Sequence, residues 1–253
     1  MPSILELRWE YAPKTAFAEQ FTAEFDGCCI EVDDGTVVAT LPILAGEIRS
    51  PLRMRVESYI ESLFLGIQVA THTECQRGRP SISILNDDGS RRDIIECEPG
   101  IARATGFRAD LIYTRSDGSL KDPRQERIER QNRLSRAAAI HGPNSEVLSR
   151  MLRSYQCSIA DPEDELIHLY EVRDSLSSAF GDKSKALRKL SITEPAWKRL
   201  GLLCNVLPLS QGRHRGYVNQ PIRSASDEEL EEARHLAASF IESYIEYLEK
   251  SSL

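Results

Sequence analysis

A chain of 253 residues with 41% hydrophobic and 28% charged side chains has the balance of an ordinary globular protein, neither disordered nor fibrous. No run approaches eighteen consecutive apolar residues, which excludes a membrane-spanning helix. The formal net charge of −7 excludes a general nucleic-acid binder, so any RNA or DNA contact needs a local basic patch.

The opening Met1-Pro-Ser-Ile-Leu-Glu lacks the basic patch and apolar core of a secretory leader, so a cytoplasmic location is expected. Ile4 to Tyr11 alternates apolar and polar residues, as a half-buried strand does. Two β-rich runs, Cys28 to Val32 and Thr36 to Leu41, flank Asp33-Asp34-Gly35, a turn signal. Next, Leu52, Val56, Tyr59, Ile60, Leu63 and Phe64 recur at helical steps. The stretch from Leu65 to His72 either continues that helix or begins a strand. A second hairpin is expected from Ile82–Leu85 and Asp93–Cys97 around Asn86-Asp87-Asp88-Gly89, and a last strand over 109–113. The paired acids of both turns suit backbone roles beside glycine better than a metal site. Residues 1–121 thus read as a mixed domain of β-hairpins with a helix.

The second half changes period. Asp122-Pro123 suits a helix start, and Arg124, Arg127, Arg130, Arg133 and Arg136 follow at intervals of three with Glu126 and Glu129 interleaved. That slowly winding stripe is read as a solvated linker helix over 122–143, the competing meaning being a nucleic-acid contact. Asp161-Pro162-Glu163 is expected to open the next helix, with Leu166, Leu169, Tyr170, Leu176 and Phe180 inward and Gly181 as its stop. A short helix around Ala186–Leu190 follows, then one from Thr193 with Trp197, Leu200, Leu203 and Cys204 on one side. The terminal helix starts at a capping box, Ser226 with Glu229, and buries Leu230, Ala233, Ala237, Ile241, Tyr244 and Leu248. Short links between amphipathic helices predict an antiparallel bundle over 144–253. The fold class expected is α+β, an N-terminal hairpin domain followed by a C-terminal helical bundle.

Charge is uneven between the halves: residues 1–121 hold 13 Lys+Arg against 19 Asp+Glu, residues 122–253 hold 19 against 20. A basic patch for nucleic acid is therefore expected in the second half. The six cysteines form no CxxC pair and are expected to act as small hydrophobes. No phosphate loop, HExxH, GxSxG or GxGxxG motif is present, so no cofactor or metal is expected.

One segment departs from scaffold chemistry. Gln211-Gly-Arg213-His214-Arg215-Gly216 places an imidazole between two guanidiniums, with glycines that let the backbone bend. Adjacent cations lower a histidine's pKa and keep it competent as a proton acceptor, while guanidiniums suit phosphate oxygens. The alternative is a surface loop whose histidine caps a helix or pairs with a carboxylate. Glu171, Arg173 and Asp174 form either a structural ion pair or a partner for this loop. His168 is expected within a packed helix, and His235 in solvent.

The segment from about Asn144 to Leu253 resembles the HEPN superfamily of bacterial helical domains. The resemblance is carried by Glu165-Leu-Ile-His-Leu-Tyr-Glu-Val-Arg-Asp174, Trp197-Lys-Arg-Leu-Gly-Leu-Leu-Cys-Asn205, Arg213-His214 and Ser226-Asp-Glu-Glu-Leu230. It implies ribonucleases or nucleotide-transfer partners in toxin–antitoxin, antiphage and stress systems, usually dimeric. On it, His214 and Arg213 are the catalytic candidates, with Arg215, Asn205 and Arg173 binding substrate. Active members carry Arg, four to six residues, then His; His214 lacks an arginine at that distance, and the pair that has it is Arg136 and His141. Two functions follow: an RNA-directed effector or component of such a system, or a non-catalytic protein that dimerises or docks a separately encoded partner. A third is that the α+β half senses a nucleotide or peptide and gates the helices.

Overall fold

The computed structural model describes residues 3–43, 51–86, 90–94, 113–114, 120–121, 123–213 and 221–251. It is an α+β protein, with an antiparallel sheet in the N-terminal part and helices in the C-terminal part. Two compact units share the chain: residues 1–61 with 75–133, and residues 62–74 with 134–253.

In the first unit, β1 (Ser3–Ala12) lies between β4 (Thr36–Ile43) and β6 (Ser81–Leu85). The sheet runs outward through β3 (Cys28–Asp33) and β2 (Phe21–Phe25) on one side and β7 (Arg91–Ile94) on the other. A short β5 (Gln76–Arg77) pairs with the far end of β1. Period-two alternation decides which face is buried. Leu5, Leu7, Trp9 and Tyr11 of β1 are buried, while Ile4, Arg8 and Glu10 are exposed. Register then aligns apolar rows across strands: Leu7 faces Ala39 and Ile82, and Ala39 faces Ile30. Helix α1 (Pro51–Thr71) begins in this unit and lays Tyr59 against Phe25, ring centroids 4.6 Å apart.

The first hairpin forms as its sequence predicts, with Asp33-Asp34-Gly35 at the turn and Gly35 at φ 88°. The undecided stretch from Leu65 is helical to Thr71, because Leu65 and Val69 meet the helical core rather than a strand. Strand β2 was not expected, although Phe21, Ala23 and Phe25 alternate with Thr22 and Glu24 and its burial alternates in step; the two-residue β5 is too short for a pattern and comes from its pairing with β1. Of the second hairpin, β6 and β7 pair as expected, while Asp87–Gly89 and 95–97 lie outside the described residues. The strand expected over 109–113 also lies outside them except for Tyr113, which with Thr114 forms β8 opposite β9 (Leu120–Lys121).

Helix α2 (Pro123–His141) spans the arginine stripe; its first half belongs to the first unit and its second half to the other. In the second unit follow α3 (Glu146–Ala160), α4 (Glu165–Phe180), α5 (Lys183–Leu190), α6 (Glu194–Asn205) and α7 (Asp227–Ser251). Helix α4 is central, packing on α3, α5, α6 and α7. Its start corrects the sequence: Asp161 ends α3, residues 161–164 form the turn, and the helix opens at Glu165. Asp-Pro is as good a turn as a helix start, and the preceding helix claims it. Helix α3 itself was not expected. Its stripe of Leu148, Met151, Leu152 and Tyr155 is buried, and Ser145 caps it through the Leu148 amide. The capping box of α7 forms reciprocally, Ser226 Oγ accepting from the Glu229 amide at 3.3 Å and Glu229 Oε2 from the Ser226 amide at 2.9 Å. Among the described residues no helix is long and apolar enough to cross a membrane.

Candidate functional site

After α6, backbone bonds join residues 208–210 to Arg223, ahead of α7. Ser210 N–H donates to the Arg223 carbonyl at 2.9 Å and Arg223 N–H to the Pro208 carbonyl at 3.1 Å. The Gln211 side chain accepts from the Ala225 amide at 3.0 Å. Arg223 in turn forks onto Glu229 at 2.6 and 2.7 Å, which holds that carboxyl down at about 2. Both entry and exit of the loop are therefore fixed to the start of α7.

Arg213 stands at the entry. Its amide donates to the Cys204 carbonyl at 3.1 Å, and its guanidinium donates to Asp174 at 3.1 Å. The same guanidinium lies 4.8 Å from the Tyr170 ring centroid, where the ring's negative face favours a cation. Arg173 lies over that ring too, at 4.3 Å, and 5.3 Å from the Trp197 ring. It donates to the Tyr170 hydroxyl at 2.5 Å and to the Trp197 carbonyl at 3.3 Å. Tyr170, Arg173 and Asp174 fall on one face of α4 because their spacing is three and four residues. The place of Arg173 needs Gly201: a Cβ there would stand 1.9 Å from Nη1.

Of the residues proposed from the sequence, Arg173 and Arg213 come together on Tyr170. Asn205 is half-buried at the end of α6, next to the Cys204 whose carbonyl holds Arg213. His214 and Arg215 lie outside the described residues. Asp174 serves as the loop's ionic partner. Arg136 and His141 share helix α2 but stand five residues apart, about 140° around its axis, so within one helix they do not converge. His168 is half-buried rather than packed away, with Asp161 at 3.9 Å and Glu171 at 3.7 Å. His235 is exposed. Tyr170, Trp197 and Gly201 were missed as site residues; the i, i+3, i+4 spacing of Tyr170, Arg173 and Asp174 was a usable signal, whereas the reach of Trp197 and Gly201 was not.

Of the described cysteines, Cys28, Cys75 and Cys204 are buried as small hydrophobes, and burial pushes the Cys204 thiol up to about 12, whereas Cys29 is half-buried and Cys157 exposed. Among the described residues no cluster of His, Cys, Asp and Glu has the makings of a metal site.

Fold and site define an α+β protein whose helical unit holds Arg213 between Asp174, the Tyr170 ring and the Cys204 carbonyl. No family model, curated protein or solved structure matches the chain.

Proposed function

We propose that this protein is a HEPN-like, RNA-directed component of a bacterial defence or toxin–antitoxin system, contacting RNA through Arg213, His214 and Arg215. The observation that supports it is anchorage. Arg213 is held at the root of the segment by Asp174, Tyr170 and the Cys204 carbonyl, so the two residues that follow leave from a fixed point. A preorganised root reduces the ordering that a phosphate contact otherwise costs. In this reading Arg215 binds phosphate, and His214 exchanges a proton with the ribose 2′-hydroxyl or the leaving oxygen.

The test incubates the full-length protein with mixed RNA at low and physiological salt, beside His214→Ala and Arg215→Ala. Expected are salt-sensitive binding by the wild type, binding weakened about tenfold by Arg215→Ala, and cleavage lost in His214→Ala with binding retained. Wild-type protein that binds no RNA overturns the proposal. Equal cleavage by wild type and His214→Ala removes the catalytic role.

A second reading, a non-catalytic dimerising or docking protein, is favoured by the Asp174 carboxylate that already neutralises Arg213. Light scattering of the purified chain separates the two. A stable dimer that ignores RNA supports this alternative, and a monomer that binds RNA counts against it.

A further inference from the structure

Four helices of the second unit meet at a polar cluster that the loop site does not use. His72 directly follows α1, and its N–H donates to the Gln68 carbonyl at 2.8 Å. Its Nδ1 lies 3.2 Å from the Tyr155 hydroxyl of α3, and the two rings meet edge to face at 5.5 Å. Its Nε2 lies 3.5 Å from Glu165 Oε1 of α4. Arg234 of α7 grips both Glu165 oxygens, at 2.5 and 2.8 Å. Tyr155 and Glu165 are buried, whereas the His72 ring keeps 22% of its surface in solvent. The His72 backbone is left-handed, φ 47°, which a residue with a Cβ adopts only where its surroundings hold it.

We propose that His72 is an acid-sensitive clasp: its neutral ring holds the 62–74 segment to the α3–α4–α7 cluster, and proton uptake by that ring releases the segment. The neutral tautomer that fits places its proton on Nε2, toward the carboxylate, and leaves Nδ1 as acceptor for the Tyr155 hydroxyl. Adding a proton at Nδ1 removes that acceptor. It also sets a second cation beside Arg234, while the one carboxylate facing the ring is already bound by two guanidinium nitrogens. Among the described residues, the charged and titratable groups that bear on the ring are Glu165 from α4, Arg234 from α7 and Tyr155 from α3; Asp227 acts on Arg234.

Burial, and next the charge of Arg234, lower His72 from the usual 6.5 to about 4. The sign follows from proton linkage. The released ring binds a proton more readily than the clasped one, so the clasp is fully retained above pH 6.5 and lost as pH falls toward about 4. Between pH 7.5 and 4.5 the closed-to-open ratio falls roughly 70-fold on this account.

Hydrogen exchange of the full-length protein, read by mass spectrometry on peptides covering residues 62–74 and corrected for intrinsic chemistry, tests the clasp. In the wild type, protection of that segment drops by that factor over the window. In His72→Gln, which keeps a donor and an acceptor but does not titrate, protection changes far less with pH. A wild-type profile that is flat, or the same pH dependence in His72→Gln, overturns the proposal. A proton NMR titration of the wild-type ring is the second measurement, should the variant fail to fold. A midpoint below pH 5 supports the clasp, and one near 6.5 overturns it.

Discussion

Replacing Arg234 by alanine lowers the stability of the helical unit by about 3–5 kcal/mol, the cost of leaving a buried carboxylate without its partner. Glu165 is only 2% exposed and receives both guanidinium bonds from Arg234. Water reaches such a group poorly, so truncation leaves a desolvated charge. The pair itself is no strong source of stability, since bringing both charges out of water offsets most of their attraction. The double variant Glu165→Leu, Arg234→Met is therefore expected to lose less than Arg234→Ala alone. The chain's two tryptophans fall one in each unit, Trp9 in the sheet and Trp197 on α6. Urea unfolding followed by Trp197 fluorescence in a Trp9→Phe background reads the helical unit. A loss under 1 kcal/mol for Arg234→Ala, or a double variant worse than the single, would show that the carboxylate finds solvent.

Gly66→Ala is expected to destabilise the helical unit by about 2 kcal/mol, against the helix-propensity scale. Alanine in mid-helix normally gains about 1 kcal/mol over glycine. Here, however, a Cβ would stand 2.6 Å from Ser135 Cα, 2.7 Å from Ala138 Cβ and 2.8 Å from the Leu134 carbonyl oxygen. Two of these are backbone atoms of α2, which cannot rotate away, so the second halves of α1 and α2 must separate. Overpacking of this kind costs typically 1–3 kcal/mol and sometimes more, which exceeds the propensity gain. Circular dichroism on heating should show a midpoint lowered by roughly 5 °C. A midpoint that rises would mean the helices absorb the methyl group. Gly201→Ala is the gentler contrast, because its Cβ meets the end of the Arg173 side chain, which can swing aside at the expense of its contacts with Tyr170 and Trp197.

The two substitutions mark where local pattern stops. Strand β1 was legible because strict alternation over Leu5, Leu7, Trp9 and Tyr11 has one burial solution. The start of α7 was legible because Ser226 and Glu229 satisfy each other's backbone within three residues. Helix α3 has an equally clear stripe and a serine cap, but the Asp161 that ends it reads in sequence as the start of the next helix, which hides the boundary between the two. At the candidate site, Asp174 and Arg173 were legible as an ionic group near the loop, since both stand on one predicted helix. Which cation Asp174 meets, and that Tyr170 receives both guanidiniums, depends on how α4 lies against the end of α6.

The sequence alone determined the α+β class, most elements and the cationic composition of the 213–215 segment, because periodicity, caps and turn residues act over a few neighbours. Tertiary structure alone decided that Glu165 meets Arg234 across 69 residues, that His72 faces both Tyr155 and Glu165, and that Gly66 is a helix crossing. Those facts follow from the packing of helices distant in the chain, where burial strips water from a charge or leaves no room for a methyl group. No local pattern encodes that geometry.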